Sequence, residues 1–577
     1  MAEMLKFGTD LSFYERLEDK KDAEDLAGRI EVYQTARKNI GDKEKEVYLR
    51  LADLYKCAEL FDTSVKYLYK YLDRASNKEE TVTAYTLLGN GYYYLGNDKV
   101  SNYYFNKAFV LGGALDPDLI DDSVLEFFTK SKDKTADYKI VYPPEDVDYN
   151  DLLDEAKDLF IAGNLKESFA LYEQVPEKSP FYAEARSEMA VAEFLHGDAE
   201  KGINLAREAY RSDPENVFAA CNLSSMFYSK GDYVNARKYY DKAMAIESDN
   251  LEDIFKKAMA SCEEKEHKKA LELLAILLDD KPYDTHYTFL SGMAYLNLGN
   301  LTAAREYFHA AYALKPFDAV YKYYVKLTDE KIKLNLDGKP NDYPYFTQLP
   351  EKETDKRVKL ISKLAEKAPR ELNLKLKDSE VSDAILWAFS AGDSEVQKTS
   401  VYILAAAGGK YNKVIKDLLI EVGVSDYIKR IILTVLVING VGGKVGLVIG
   451  NIYQKIKIPA LSEEFPDEFL YAYAGCVSVL APVGVDDFSK LVKAASNVYE
   501  AVKISKERVD GAMLSALMCC KSGYPIVSGT NETAKLFRVK KDRLEKFLCE
   551  FFNGDNESGF SESGTTDKQD KNSKNKG

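Results

Sequence analysis

The sequence predicts an all-α chain: a superhelical solenoid of paired helices, then further helical repeats, then a small C-terminal helical module, with a short β-hairpin near 444–458. Three observations predict the solenoid. Small residues recur every 34 positions at Ala156, Ala190, Ser224, Ala258 and Gly292. A second small residue follows each of them by twelve, at Ser168, Gly202, Ala236, Ala270 and Ala304. Turn-forming pairs stand between the two in most units, at Gly163-Asn164, Gly197-Asp198, Gly231-Asp232 and Gly299-Asn300. Repetition at a fixed period of roughly 20–50 residues marks stacked supersecondary units, none of which buries its apolar face alone.

Each part of the unit has a physical reason. Antiparallel helices pack closely only where small side chains let the backbones approach. A larger side chain four residues on plugs the neighbouring gap, as at Tyr172, Tyr240, Leu274 and Phe308. Pro180, Pro214, Pro282 and Pro316 close their units, because proline cannot donate the next helical hydrogen bond. The turn glycine supplies a positive φ. This pattern resembles the tetratricopeptide repeat (TPR) family over about 148–318, with weaker copies from about 45. The resemblance implies helix pairs whose first members line a concave face.

In chain order, Lys21 to Asn39 reads as a helix that begins the array. Two divergent units follow, one with Tyr48, Leu51, Ala52, Tyr55 and Ser64, the other with Tyr85, Leu88, Gly89, Tyr92, Ser101, Phe105 and Ala108. These N-terminal helices fill 1–129, and residues 130–148, with Pro143-Pro144, form a junction. The main array occupies 149–334, ending in a capping helix from Asp318 to Leu334. Gly338, Pro340 and Pro344 mark 335–350 as a linker. Residues 351–460 are similar to HEAT-like helical repeats, with Asp393 and Ser425 as helix caps 32 residues apart. Alternating β-branched residues around Gly450-Asn451 predict the hairpin. A helical module fills 461–553, and the polar tail 554–577 has too few apolar residues to fold.

Composition narrows the function. The net charge of −15 argues against a chain that coats nucleic acid or anionic membrane along its length. Seven cysteines without a CxxC pair suggest reduced thiols. Met1 to Lys20 has no apolar run, and Asn439 and Lys444 interrupt the most apolar stretch, Ile431 to Ile449. The expectation is a soluble, cytoplasmic protein without a membrane span. The four histidines, His196, His267, His286 and His309, have no metal-binding spacing. Gly440 to Lys444 has the glycines and lysine of a phosphate loop. It lacks the first glycine at the required spacing and the final Ser or Thr. The reading is therefore a chain that is not an enzyme and needs no cofactor or metal.

What remains is surface. Projecting the concave face of the resembled family onto this chain gives Phe218, Tyr228, Phe255, Met259, Phe289 and Met293 as candidate partner-binding residues. Phe160, Cys221, Ser225 and His286 join them, with Asn90 and Tyr93 from the earlier units. Aromatic and Met side chains adapt to a peptide without needing charge. The same residues could equally pack against a neighbouring helix. The leading expectation is a scaffold that binds a protein or peptide in this groove. The alternative is a regulator that touches DNA through a helix-turn-helix-like module. Ala534, Val539 and Leu544 have that spacing, with Arg538, Lys540, Lys541 and Arg543 as candidate phosphate contacts.

Overall fold

The computed structural model describes residues 11–22, 25–40, 45–113, 119–131, 165–175, 217–459, 466–505, 509–524 and 529–552, with isolated residues between 152 and 210. The junction with Pro143-Pro144, most of the second main-array unit, His196 and the polar tail lie outside them.

The chain opens with α1 (Leu11–Glu18) and α2 (Leu26–Ile40). Two helix pairs follow, α3 (Lys45–Cys57) with α4 (Phe61–Arg74) and α5 (Lys78–Tyr94) with α6 (Asp98–Gly112), and then α7 (Asp122–Lys130). Beyond α8 (Leu165–Tyr172), the pairs are α9 (Val217–Ser229) with α10 (Tyr233–Ala245), α11 (Leu251–Glu263) with α12 (His267–Asp280), and α13 (Thr285–Asn297) with α14 (Leu301–Leu314). α15 (Ala319–Lys333) ends this series.

The small-residue pattern has a direct structural cause. Ser64, Ser101 and Ser168 each donate a hydroxyl hydrogen bond of 2.7 Å to the carbonyl twelve residues earlier, of Ala52, Gly89 and Ala156. Ser224 makes the reverse contact to Ala236 O at 3.0 Å. Hydroxyl and carbonyl meet only because neither helix carries bulk at the crossing. Gly89 lies under Phe105, and Gly292 lies under Phe308. A Cβ at either glycine would stand 2.7–2.8 Å from the ring. The turn pairs also do two jobs. Gly96, Gly231 and Gly299 take φ values of 71°, 75° and 81°. The next residue, Asn97, Asp232 or Asn300, then caps the following helix by accepting a backbone N–H.

After the array come α16 (Glu351–Ala365), α17 (Pro369–Lys375), α18 (Ser379–Ala391), α19 (Ser394–Ala407), α20 (Tyr411–Leu418) and α21 (Asp426–Ile438). Asp393 and Ser425 cap α19 and α21 through their side chains. β1 (Gly443–Ile449) and β2 (Ile452–Ile458) pair antiparallel. Their two-residue turn, Gly450-Asn451, has φ of 56° and 62°, the geometry that a two-residue hairpin of this twist requires.

The hairpin turn docks on the first two repeats. Tyr69 and Tyr104 donate their hydroxyls to the Asn451 carbonyl at 2.5 and 2.9 Å. Tyr453 donates its backbone N–H to Tyr104 Oη at 2.9 Å and its hydroxyl to Asp73 Oδ1 at 2.9 Å. Ile420, Val448, Ile452 and Tyr453 share one core with Tyr67, Tyr69, Tyr92 and Tyr104. Beside it, Lys66 and Lys70 reach Glu421 at 3.0 and 2.5 Å. Tyr55 donates to Leu314 O at 2.6 Å, so the early repeats also meet the end of α14. These closures account for part of the chain's tyrosine content: each buries a ring and still satisfies its hydroxyl.

The chain forms two compact units, residues 1–462 with 477–486, and residues 463–476 with 487–577. The helices so far and the hairpin lie in the first. α22 (Asp467–Leu480), α23 (Ser489–Ile504), α24 (Gly511–Ser522), α25 (Thr530–Leu536) and α26 (Lys541–Phe552) follow in chain order. In the second unit, Ser515 Oγ donates to Ala472 O at 3.2 Å, and Tyr524 donates to Asp487 O at 2.5 Å. Among the described residues, no helix is long and apolar enough to cross a membrane. All seven cysteines are free thiols.

Candidate functional site

Residues 335–350 do more than link two helical regions. Asn341 to Thr347 lies along α13, the first helix of the last pair, while Asp337 and Gly338 meet the start of α14 and the turn before it. Asn297 near the end of α13 reads its backbone on both sides. Asn297 Nδ2 donates to Tyr343 O at 2.9 Å, and Asn297 Oδ1 accepts from Tyr343 N at 2.8 Å. Asn341 donates through Nδ2 to Leu296 O at 2.8 Å and through its backbone to Asn297 O at 3.0 Å. At the other end of α13, His286 Nδ1 and Thr347 Oγ1 share a hydrogen bond of 3.2 Å.

Contacts of Asn341, Tyr343, Tyr345 and Thr347 fall on alternate residues, and Asp342 and the Gln348 carbonyl, which accepts from Tyr324, add two off that register. Burial shows the same alternation over much of the segment. Tyr345 and Leu349 are buried, whereas Asp342, Pro344, Phe346 and Gln348 are exposed; Thr347 breaks the alternation, being exposed as well. A period of two is that of an extended chain. Lengths agree as well. Six steps at about 3.3 Å span roughly 20 Å. Eleven helical steps at about 1.5 Å span roughly 16 Å. The segment therefore runs antiparallel to α13 and covers nearly all of it.

Tyr345 is the anchor. It is 9% exposed. Its hydroxyl and His267 Nδ1 share a hydrogen bond of 2.7 Å, and the two rings stack with centroids 5.9 Å apart. Tyr343 meets Tyr324 of α15 edge to face at 6.4 Å and lies under the Lys331 ammonium at 5.5 Å. One residue before Tyr343, Asp342 pairs with Lys265 at 2.8 Å. Lys265 sits in the turn before α12 with a φ of 59°.

Burial pushes His267 below its ordinary value, with Asp342 pulling it partly back. The sign follows directly. A histidine whose folded pKa is depressed binds fewer protons when folded, so the docked state is favoured above the unfolded value of about 6.5 and weakens as pH falls below it. Hydrogen exchange at Tyr343 and Tyr345 should therefore show more frequent opening at pH 5.5 than at pH 7.5, after correction for intrinsic rates. Equal opening at both would mean that His267 does not hold the segment.

The expected groove residues divide. Phe255 is half-buried, with His286 at 6.1 Å and Tyr287 at 5.5 Å. Tyr228 and Met259 are also half-buried, and Tyr228 stacks edge to face on Tyr233. Phe289 and Met293 are both fully buried, at 0% exposed, and of the two Phe289 turns away from the segment. Phe289 packs against Phe308, Tyr321 and Tyr324, because its position on α13 faces the helices behind it. Cys221 and Asn90 are buried too, and Tyr93 packs on Phe127. Ser225 donates its hydroxyl to Glu263. The side chains of Phe160 and Phe218 lie outside the described residues. Asn297, Asn341 and Tyr345 carry the groove contacts, and residue-type reasoning passed over them.

In the C-terminal unit, α25 and α26 are joined by a short turn in which Arg538 takes a φ of 53°. Val539 N bonds back to Ala534 O at 2.9 Å, and Leu544 and Phe547 are buried. Arg538, Lys540, Lys541 and Arg543 are all exposed. Lys541 pairs with Glu545 at 3.6 Å and Arg543 with Asp510 at 3.9 Å. Among the described residues, no cluster of His, Cys, Asp or Glu could hold a metal ion.

A family model for the tetratricopeptide repeat matches residues 192–250 and 265–319. Solved structures similar to this chain include the TPR2AB-domain:pHSP90-complex of yeast Sti1, at 15% identity over 55% of this chain and 100% of that one, with a TM-score of 0.18. The human IFIT1 dimer with PPP-AAAA is another, at 15% identity over 74% of this chain and 95% of that one, with a TM-score of 0.23. No curated protein matches the chain.

Proposed function

We propose that these tetratricopeptide repeats make the chain a non-catalytic interaction scaffold, with the groove along α11, α13 and α15 as the place where an extended partner peptide binds. One observation carries the reading: an extended segment already lies there, with both backbone groups of Tyr343 held by Asn297. Backbone recognition of this kind accepts any extended chain, and side-chain pockets on alternate residues add selectivity. Tyr228, Phe255 and Met259 supply the apolar remainder of the surface.

The test is capture of a protein partner by the full chain from its native lysate, in the presence of nuclease. Tyr228→Ala with Phe255→Ala should reduce recovery at least tenfold while leaving the helical circular dichroism signal intact. Undiminished recovery with the double variant would remove the groove assignment.

A second reading rests on the Arg538 turn, which lets α25 and α26 form a helix-turn-helix-like corner presenting four basic side chains. In that reading the C-terminal module contacts DNA phosphates. Affinity for duplex DNA should then fall steeply between about 50 and 200 mM salt. Arg543→Glu should abolish it. Absence of binding at the low salt concentration would end this reading.

A further inference from the structure

The segment in the groove also defines what the groove selects. Tyr345 satisfies His267 with its hydroxyl and stacks on the imidazole. Phenylalanine in its place would fill the same volume and leave the ring nitrogen without that bond. A site built around a hydroxyl discriminates strongly against the analogue that lacks it, because its own polar group is then stranded. Two residues earlier, Tyr343 offers its ring face to Lys331 and its edge to Tyr324. Lys265 adds a cation beside Asp342. The groove therefore presents, in the order of the segment's residues, a cation for an acidic side chain, a cationic contact for an aromatic face, and a hydroxyl-reading pocket. Pro344 sits on the exposed alternate position, where no backbone donor is required.

The segment is also placed to compete. It is tethered at both ends, by α15 before it and α16 after it, so its effective concentration at the groove is on the order of millimolar. Any partner must overcome that occupancy. Most of its outward residues, among them Pro344, Phe346 and Gln348, face solvent, and it forms no regular secondary structure. Its release would disturb few contacts outside the groove.

We propose that the groove along α13 reads extended peptides with tyrosines at alternate positions and an acidic residue before the first, and that Asn341–Leu349 is a built-in competitor which such a partner displaces. This rests on the groove reading given above.

The probe is a fluorescent peptide with the sequence of residues 337–350. It is titrated into the full chain and into a Tyr343→Ser, Tyr345→Ser variant of the full chain, with anisotropy as the readout. The variant should bind the peptide at least tenfold more tightly than the wild type. The peptide carrying Phe at the position of Tyr345 should bind the variant at least tenfold more weakly than the parent peptide. Equal affinity of wild type and variant would overturn the competitor role. Equal affinity of the variant for the parent peptide and for one with Ser at both tyrosine positions would overturn the tyrosine selectivity while leaving a peptide groove in place. A folded variant that binds neither these peptides nor a random extended nonapeptide pool would remove both proposals. A second measurement needs no variant. Saturating peptide added to the wild type should speed hydrogen exchange at Asn341 and Tyr343, whose amides donate to Asn297. Unchanged exchange while the peptide is bound would overturn displacement.

Discussion

Phe308→Ala should lower the stability of the last repeats by about 3–5 kcal/mol, the usual cost of emptying a fully buried phenylalanine site. Phe308 is 0% exposed and has Phe289 at 5.5 Å, Tyr324 at 5.2 Å and Gly292 directly beneath its ring. The surrounding rings are themselves held by α13 and α15, so the cavity can collapse only partly. Native-state hydrogen exchange of α13 to α15 would report the loss; a change under about 1 kcal/mol would show that this crossing is not packed as described. Gly292→Ala supplies the complementary result. In the wild type its Cβ meets the Phe308 ring at 2.7 Å and must destabilise. In the Phe308→Ala background the same methyl enters the cavity, so the two effects should be markedly less than additive. Because His286 and Asn297 both stand on α13, the single Phe308 variant should loosen the groove segment as well.

Glu421→Ala should be nearly as severe, at about 3–5 kcal/mol, for an electrostatic reason. It leaves Lys66 and Lys70, with side chains only 19% and 12% exposed, facing each other without their shared carboxylate. Burial alone would raise the Glu421 pKa, but the two ammonium groups outweigh it and hold the value at about 2. A carboxylate depressed in the folded state contributes its full stability above the unfolded value of about 4.3 and loses it as pH falls toward the folded value. The gap between wild type and variant should thus be constant from pH 7 to about 5, then narrow toward about pH 2. Hydrogen exchange of α4 across this range would measure it, and a gap that widens on acidification would contradict the pairing.

How much of this was legible depends on sequence distance. The 34-residue period and the serine-to-carbonyl contacts twelve residues apart are local, and the small residues announced them. Gly450-Asn451 announced the hairpin turn for the same reason. Phe289 faces the helices behind α13 rather than the groove, because α13 is apolar on more than one face and periodicity does not distinguish the face toward a groove from the face toward the next helix. Gly338, Pro340 and Pro344 give the segment 335–350 the composition of a linker. Its real signal was the alternation of Asn341, Tyr343, Tyr345 and Leu349, with Pro344 falling harmlessly on the outer side. The tyrosine closures had no local signature. Tyr55 meets Leu314 and Tyr69 meets Asn451 across 259 and 382 residues, and composition showed only that tyrosine was abundant.

That separation bears on how the protein is made. Repeat arrays ordinarily fold as they emerge, since each unit contacts only its neighbours. Here Tyr104 waits 347 residues for Asn451, which at about 5–20 residues per second is a delay of about 17–70 s. Through that interval the tyrosine face of α4 to α6 is apolar surface without its cover. Nascent chains stalled before residue 440 should be cut by protease within these helices, and full-length chains should resist. Resistance in the stalled chains would mean that the early repeats are complete without the hairpin. The abundance of tyrosine then gains a second sense: a face that keeps hydroxyls among its rings can stand in water during synthesis with less tendency to aggregate than a phenylalanine face of equal size.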